Sequence, residues 1–283
     1  MKNLASQIKE SMGYKVPEFR NYDKIAVCGM GGSGISGYIL KDLIDERPVF
    51  VFQSYELPKF VDKKTLVFIN SYSGNTAETI SMYKQAINRT EKIMIITSGG
   101  FLGNDERAIK IPDTMQPREA VGYLFFPMWK ALGKKLDNVI NVVEKVNSDL
   151  GIAEKLYSKL PVLYSSSGFY SIALRWREQI NEDSKRLAVA NTFPELNHNE
   201  IEARFDDAQI VFLKAKEELV IEMLKREHKI VEVELKGKTK LEKIFYGATL
   251  GNFVSVKLAE LNKEDYLKYR LIEKLKDEMR KRK

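Results

Sequence analysis

The apolar run Leu66-Val67-Phe68-Ile69 stops at Asn70-Ser71-Tyr72-Ser73-Gly74-Asn75-Thr76, and a helix-like stretch begins near Ala77. A short run of that kind reads as a buried strand, so the chain must pass from strand to helix over a few small, hydroxylated residues. Asn75 and Glu78 have capping-box spacing, which predicts the helix start at this point. First-turn N–H groups, the positive end of the helix dipole and the hydroxyls of Ser71, Ser73 and Thr76 would then converge on one place. A phosphate suits so many donors better than a carboxylate, because it offers more acceptor oxygens. The same residues also fit an ordinary strand–helix turn in which Ser and Thr serve only as caps, and the turn alone does not separate the two readings.

The surrounding chain repeats the strand–turn–helix theme. Ile25-Ala26-Val27-Cys28 runs into Gly29-Met30-Gly31-Gly32-Ser33-Gly34-Ile35-Ser36-Gly37; a helix follows, and Pro48 opens the next strand, Val49–Phe52. Gly29, Gly31 and Gly34 match G-x-G-x-x-G, with Glu56 near the place of a ribose-binding acid, which invites a dinucleotide reading. Gly32, Ser33, Ser36 and Gly37 extend the small residues further than a pyrophosphate turn needs, and the Ser71–Thr76 turn would be surplus in such a domain. Residues 134–160 read as helical and charged. Pro161-Val162-Leu163-Tyr164, the turn Ser165-Ser166-Ser167-Gly168 and a further helix then repeat the first unit, and Gln209–Leu213 stands where Leu66–Asn70 stood. Two copies of one layout imply an α/β protein with parallel sheets. Residues 1–150 form a domain with the phosphate turn, and 151–283 a second domain plus a C-terminal helix. In the second copy Lys214-Ala215-Lys216 replaces the Ser/Thr cluster, so one half binds and the other scaffolds.

Composition removes several function classes. No apolar run reaches the roughly 18 residues that a membrane-spanning helix needs, and Met1–Lys15 lacks the apolar core of a signal peptide. The only cysteine, Cys28, sits in an apolar run and reads as a buried strand residue, consistent with a reducing cytoplasm. With two histidines, His198 and His228, and one cysteine, the usual ligand set of a catalytic zinc cannot be assembled. Chemistry without metal or cofactor is expected. The net charge of +7 owes much to the tail, and no motif for nucleic acid accompanies it. A modest positive field suits a small anionic substrate.

Three further places carry reactive side chains. Arg118 follows Pro117 at a helix entrance, a rigid site from which a guanidinium can face a cleft; a surface ion pair with Glu119 is the plainer fate. Glu178-Gln179-Ile180-Asn181-Glu182-Asp183-Ser184-Lys185 closes a helix with a polar cluster. Asn191-Thr192-Phe193-Pro194-Glu195-Leu196-Asn197-His198-Asn199-Glu200 gathers His, Asn and Glu around a proline.

Taken in order, GMGGSGISG, SYSGNTAET, PREA-GY, NEDSK and ELNHNEI resemble the archaeal bifunctional phosphoglucose/phosphomannose isomerases of the sugar-isomerase (SIS) superfamily, over nearly the whole chain. The resemblance implies two tandem SIS domains, each a parallel sheet flanked by helices in a Rossmann-like three-layer sandwich. It implies interconversion of glucose 6-phosphate, or mannose 6-phosphate, with fructose 6-phosphate through a cis-enediol, without metal. Ser71, Ser73 and Thr76 would hold the phosphate, and Gly32 and Ser33 would contact the sugar. Glu182 would move the proton between C1 and C2, Arg118 would stabilise the enediolate, and His198 would assist ring opening, reaching the site from the other subunit of a homodimer. The family's C-terminal lysine matches Lys276, with Lys274 as the alternative, because Glu264-Asp265-Tyr266-Leu267 departs from the family's proline-containing segment. A non-catalytic sugar-phosphate sensor is the competing implication, since SIS domains also serve as regulatory modules.

Overall fold

Runs of β-branched and aromatic residues alternate along the chain with longer stretches of helical pattern, and the computed structural model turns that alternation into two parallel sheets. It describes residues 3–148 and 151–281, and within the last helix the side chains at 276, 277 and 279–281 are not among those described. In chain order the elements are α1 (Leu4–Gly13), β1 (Lys24–Cys28), α2 (Gly31–Leu43), β2 (Val49–Phe52), β3 (Thr65–Asn70), α3 (Ala77–Ala86), β4 (Ile93–Thr97), β5 (Ala108–Lys110), α4 (Val121–Ala131) and α5 (Val139–Glu144). They continue with α6 (Ile152–Leu156), β6 (Leu160–Ser165), α7 (Tyr170–Asp183), β7 (Val189–Thr192), β8 (Ala208–Lys214), α8 (Leu219–Leu224), β9 (Ile230–Glu234), α9 (Lys240–Leu261) and α10 (Arg270–Lys281).

The chain divides into two compact units: Met1–Val146 with Gly168–Ile172 and Leu235–Thr249, and Asn147–Ser167 with Ala173–Glu234 and Leu250–Lys283. The first unit holds a sheet of order β2-β1-β3-β4-β5 and the second a sheet of order β7-β6-β8-β9. Every pairing is parallel; Ala26 lies opposite Phe50 and Val67, and Leu163 opposite Ala190 and Val211.

Because side chains alternate along a strand, each sheet buries two sets of residues. In the first, Ala26, Cys28, Val67, Ile69, Ile93 and Ile95 pack on Met82 and Ala86 of α3. In the second, Val162, Tyr164, Ile210 and Phe212 pack with Phe193, Leu196 and Ile221. Full burial of a Val or Ile side chain is worth about 1.5–3 kcal/mol, so these layers hold the strand ends rigidly in place. Cys28 is wholly buried, and that burial pushes its thiol up to about 12, in keeping with a structural strand residue. α4 is buried nearly all round, with Phe125 and Phe126 packed at a tilt against Phe245 at 5.1 and 4.7 Å between ring centres.

The stretch 134–160, expected to be helical, forms the short α5 and α6 among its described residues, with left-handed backbone at Asp137, Gly151 and Ser158 outside the helices. Among the described residues no helix is long and apolar enough to cross a membrane, and no group of three or more His, Cys, Asp or Glu is arranged to hold a metal ion.

Candidate active site

In the first sheet the chain leaves β1 toward β2 on one side and returns to place β3 on the other. The C-terminal ends of β1 and β3 therefore flank a topological switch point, where open parallel sheets form their crevices. Gly32 and Ser33 follow β1, and Ser71, Ser73 and Thr76 follow β3, so the fold brings both sets of sequence candidates to that crevice. The two turns are joined directly: the Tyr72 N–H donates to Ser33 Oγ at 3.0 Å.

Within the second turn, Ser71 Oγ donates to Thr76 Oγ1 at 3.1 Å, while the exposed Ser73 accepts from the Asn75 N–H at 3.3 Å. The capping box expected from Asn75 and Glu78 does not form. Thr76 is the N-cap of α3 and makes no side-chain cap bond, and Asn75 Oδ1 instead accepts from the Phe101 N–H at 2.9 Å. The first turn of α3 thus keeps its donors uncapped by side chains, which is the state that receives an anion. A neighbouring loop supports the turn from its far side. Ser98 donates through its N–H and hydroxyl to the Tyr72 carbonyl at 2.9 and 2.7 Å, and the Leu102 N–H donates to the Gly74 carbonyl at 3.1 Å.

Arg118 stands in a 3-10 turn, Pro117–Glu119, and is buried rather than on the surface: the residue is only 4% exposed. Gly32 explains how it comes so close to the crevice. A Cβ at position 32 would lie 2.8 Å from both the Cα and the N of Arg118, so only glycine lets the first turn of α2 touch this backbone. Gly32, Ser33, Arg118 and the Ser71–Thr76 turn therefore form one contiguous group in the first unit.

The remaining candidates lie in the second unit. Glu182 is half-buried in the last turn of α7, and its carbonyl accepts from Lys185 Nζ at 2.5 Å. Its neighbour Asp183 is 1% exposed and accepts from Ser255 Oγ at 2.6 Å, which ties the end of α7 to α9 and separates a structural carboxylate from an accessible one. One turn earlier, burial pushes the Glu178 carboxyl up to about 7; Arg177 opposes the shift and the charge of Glu182 adds to it. His198 is exposed in a 3-10 turn, Glu195–His198, that is anchored by the fully buried Leu196. The following 3-10 turn is held by Glu200 Oε1, which accepts from Asn191 Nδ2 at 2.6 Å. Lys274 is exposed on α10; Lys276 lies on the same helix, with its side chain outside the described residues.

Sequence reasoning did not single out Tyr72, Ser98 or Gln7, which shape the site through contacts far apart in the chain. Gln7 meets the Arg118 turn across 112 residues, a separation that no local pattern records.

A family model, the bacterial phospho-glucose isomerase C-terminal SIS domain, matches residues 145–279. The chain is 36% identical to the bifunctional phosphoglucose/phosphomannose isomerase of Thermoplasma volcanium, over 98% of this chain and 97% of that one. It is 35% identical to the protein of the same description from Thermoplasma acidophilum, over 98% and 95% of the two chains. A solved glucosamine-6-phosphate deaminase from Thermotoga maritima shares the fold, with a TM-score of 0.69 at 14% identity over 93% of this chain and 94% of that one. The hydroxyl turn, the glycine turn and the NEDSK and ELNHNE segments thus stand in a chain that matches such relatives over almost its full length, and the chain belongs to the bifunctional phosphoglucose/phosphomannose isomerase family of SIS-domain proteins.

Proposed function

We propose that the protein interconverts glucose 6-phosphate, and mannose 6-phosphate, with fructose 6-phosphate through a cis-enediol, without a metal ion. The observation that carries this reading is the uncapped start of α3 beside the Ser71 and Thr76 hydroxyls, joined through Tyr72 to Ser33 and neighboured by the buried Arg118. Such a site takes the phosphate of a hexose, with Ser71, Ser73 and Thr76 as its side-chain donors. Anchorage at C6 orients the reacting end of the sugar along Gly32 and Ser33 and converts binding energy into alignment.

Glu182 is the base that takes the proton from C2 of the aldose and returns it to C1. Arg118 supplies a fixed cation for the enediolate oxygen as charge develops there. His198 opens the ring by exchanging a proton at the ring oxygen or the anomeric hydroxyl. Its exposure suits delivery from a neighbouring copy of the chain, so the working unit is a homodimer with shared sites. Lys276, or Lys274, is the further cation of the ring-opening step.

Assaying fructose 6-phosphate from each aldose in the presence of EDTA tests the activity; no turnover with either sugar overturns it. Mixing two inactive variants, Glu182→Gln and His198→Ala, tests the sharing of sites. After exchange of subunits, mixed dimers should restore about a quarter of the wild-type rate, and no recovery places His198 in its own subunit's site or outside the reaction.

A further inference from the structure

We infer that Gln7 is a positioning residue for Arg118: the amide of its side chain, carried by α1, clasps the exit of the 3-10 turn that bears the guanidinium, where it joins α4. The inference rests on the role given to Arg118 above.

The clasp consists of two hydrogen bonds of opposite sense. Gln7 Nε2 donates to the Glu119 carbonyl at 2.8 Å, and the Gly122 N–H donates to Gln7 Oε1 at 3.1 Å. These two backbone groups bracket the junction between the Arg118 turn and α4, so one planar amide fixes both the exit of the turn and the start of the helix. The side chain is 3% exposed, which leaves water little access as a substitute. A Cβ at position 122 would lie 2.7 Å from Gln7 Cβ and 2.9 Å from its Oε1, so the approach depends on glycine there.

The rest of α1 is built to hold Gln7 in this place. Tyr123 donates its hydroxyl to Glu10 Oε2 at 2.7 Å, and Lys130 Nζ donates to the carbonyls of Met12 and Tyr14, each at 2.6 Å. On its other flank, the Arg118 turn rests against Gly32 and is tied upstream through Met115, whose N–H donates to the Tyr72 hydroxyl at 3.1 Å. Tyr72 is also the residue whose N–H is held by Ser33. The Arg118 turn is thereby located by three independent contacts: Gly32 against its backbone, Tyr72 before it and Gln7 after it. Gln7 is the one whose side chain has no place among the phosphate-binding or proton-transferring residues, so its loss reads out positioning alone.

The test replaces Gln7 by methionine, which keeps the volume and removes both hydrogen bonds, and compares it with Gly122→Ala, which pushes the amide away from the opposite side. A displaced cation weakens the enediolate more than the bound substrate, so each variant should lower kcat about 10-fold or more with KM within about twofold, and should slow proton exchange at C2 in deuterated water in parallel. Circular dichroism and size-exclusion chromatography establish that the protein assayed is folded, and Gly122→Ala carries the test should Gln7→Met not fold. In an Arg118→Ala background, Gln7→Met should cost no more than about a further twofold, because the residue it positions is already gone. A merely stabilising Gln7 would lower the melting temperature and leave kcat of the folded enzyme unchanged; that result overturns the inference. So does a loss from Gln7→Met that persists in full without Arg118. Equal rates for wild type and Arg118→Ala would overturn the assignment of Arg118, whereas an inactive wild type would overturn the proposed function itself.

Discussion

The turn after β3 and the turn after β8 occupy corresponding places in their sheets, each beside the strand, β1 or β6, at which the strand order reverses. They share a device. In the first unit Ser33 Oγ accepts from the Tyr72 N–H; in the second, Ser166 Oγ accepts from the N–H groups of Ala215 and Lys216 at 3.1 and 3.2 Å. They differ in what fills the space beyond it. The first leaves an uncapped ten-residue helix, α3, behind hydroxyls. The second supplies its own charges: Lys214 pairs with Glu217 at 2.6 Å and with Glu232 at 3.3 Å, and the Ser167 N–H donates to Glu218 Oε1 at 3.4 Å, ahead of a helix of only six residues. The serine tie between turns is therefore part of the fold, present whether or not a ligand binds. Neither α3 nor α8 has a side-chain cap bond, so what an anion site requires in addition is a longer helix whose start is not already surrounded by ion pairs such as those of Lys214.

The largest expected effect breaks the comparison from the second unit's side, since that unit holds Glu182, the proposed base. Glu182→Gln should lower kcat by about 10³-fold or more, within the range for loss of a positioned base, while inorganic phosphate still competes as before; an active variant, followed by C2 proton exchange, would move the base elsewhere. Next, Ser71→Ala combined with Thr76→Ala should raise KM for both sugars by about 100-fold or more, because hydrogen bonds to a charged group are worth about 1.5–3 kcal/mol each and two are removed. The KM measured by coupled assay decides it.

A third test concerns stability. The folded Glu178 carboxyl is raised from its ordinary 4.5 to about 7, mainly by burial, so the folded chain retains a proton that the unfolded chain releases. Its contribution is whole below about pH 4.5 and is lost as the pH rises through about 7, on the order of 3 kcal/mol in all. Melting curves of Glu178→Gln across that window should show a shallower fall than wild type. The smallest effect sharpens the comparison: Glu218→Gln should leave KM for the sugar phosphates within about twofold and cost under about 1 kcal/mol in urea unfolding, since its ion pair with Lys216 is long, 3.7 Å, and exposed on the lysine side.

Much of the sheet was legible in the residues. Runs such as Ile25–Cys28, Leu66–Ile69 and Gln209–Leu213 are short, apolar and followed by turn residues, and each became a strand at the expected place. The hydroxyl turn was legible as a turn, though its internal bonding was not, because Asn75 gave its side chain to Phe101 rather than to its own helix. A pattern in three or four consecutive residues records local competition for donors; it cannot record a partner brought in from another loop. The same limit hid Gln7, which bonds to backbone groups more than 100 residues away, and it left Arg118 between a cleft and a surface ion pair until its burial beside Gly32 decided the matter. The helical reading of 134–160 holds in part: α5 and α6 form there, with left-handed backbone at Asp137, Gly151 and Ser158 outside them.

Cys28 lies fully buried in β1 as the chain's lone sulfhydryl. Maleimide dyes and spin labels should pass it by in the native protein, so a cysteine introduced beside His198 could be tagged without first deleting the natural one. Distance measurements between two such tags would then report on the pairing of copies in solution, with the wild-type chain as a built-in blank.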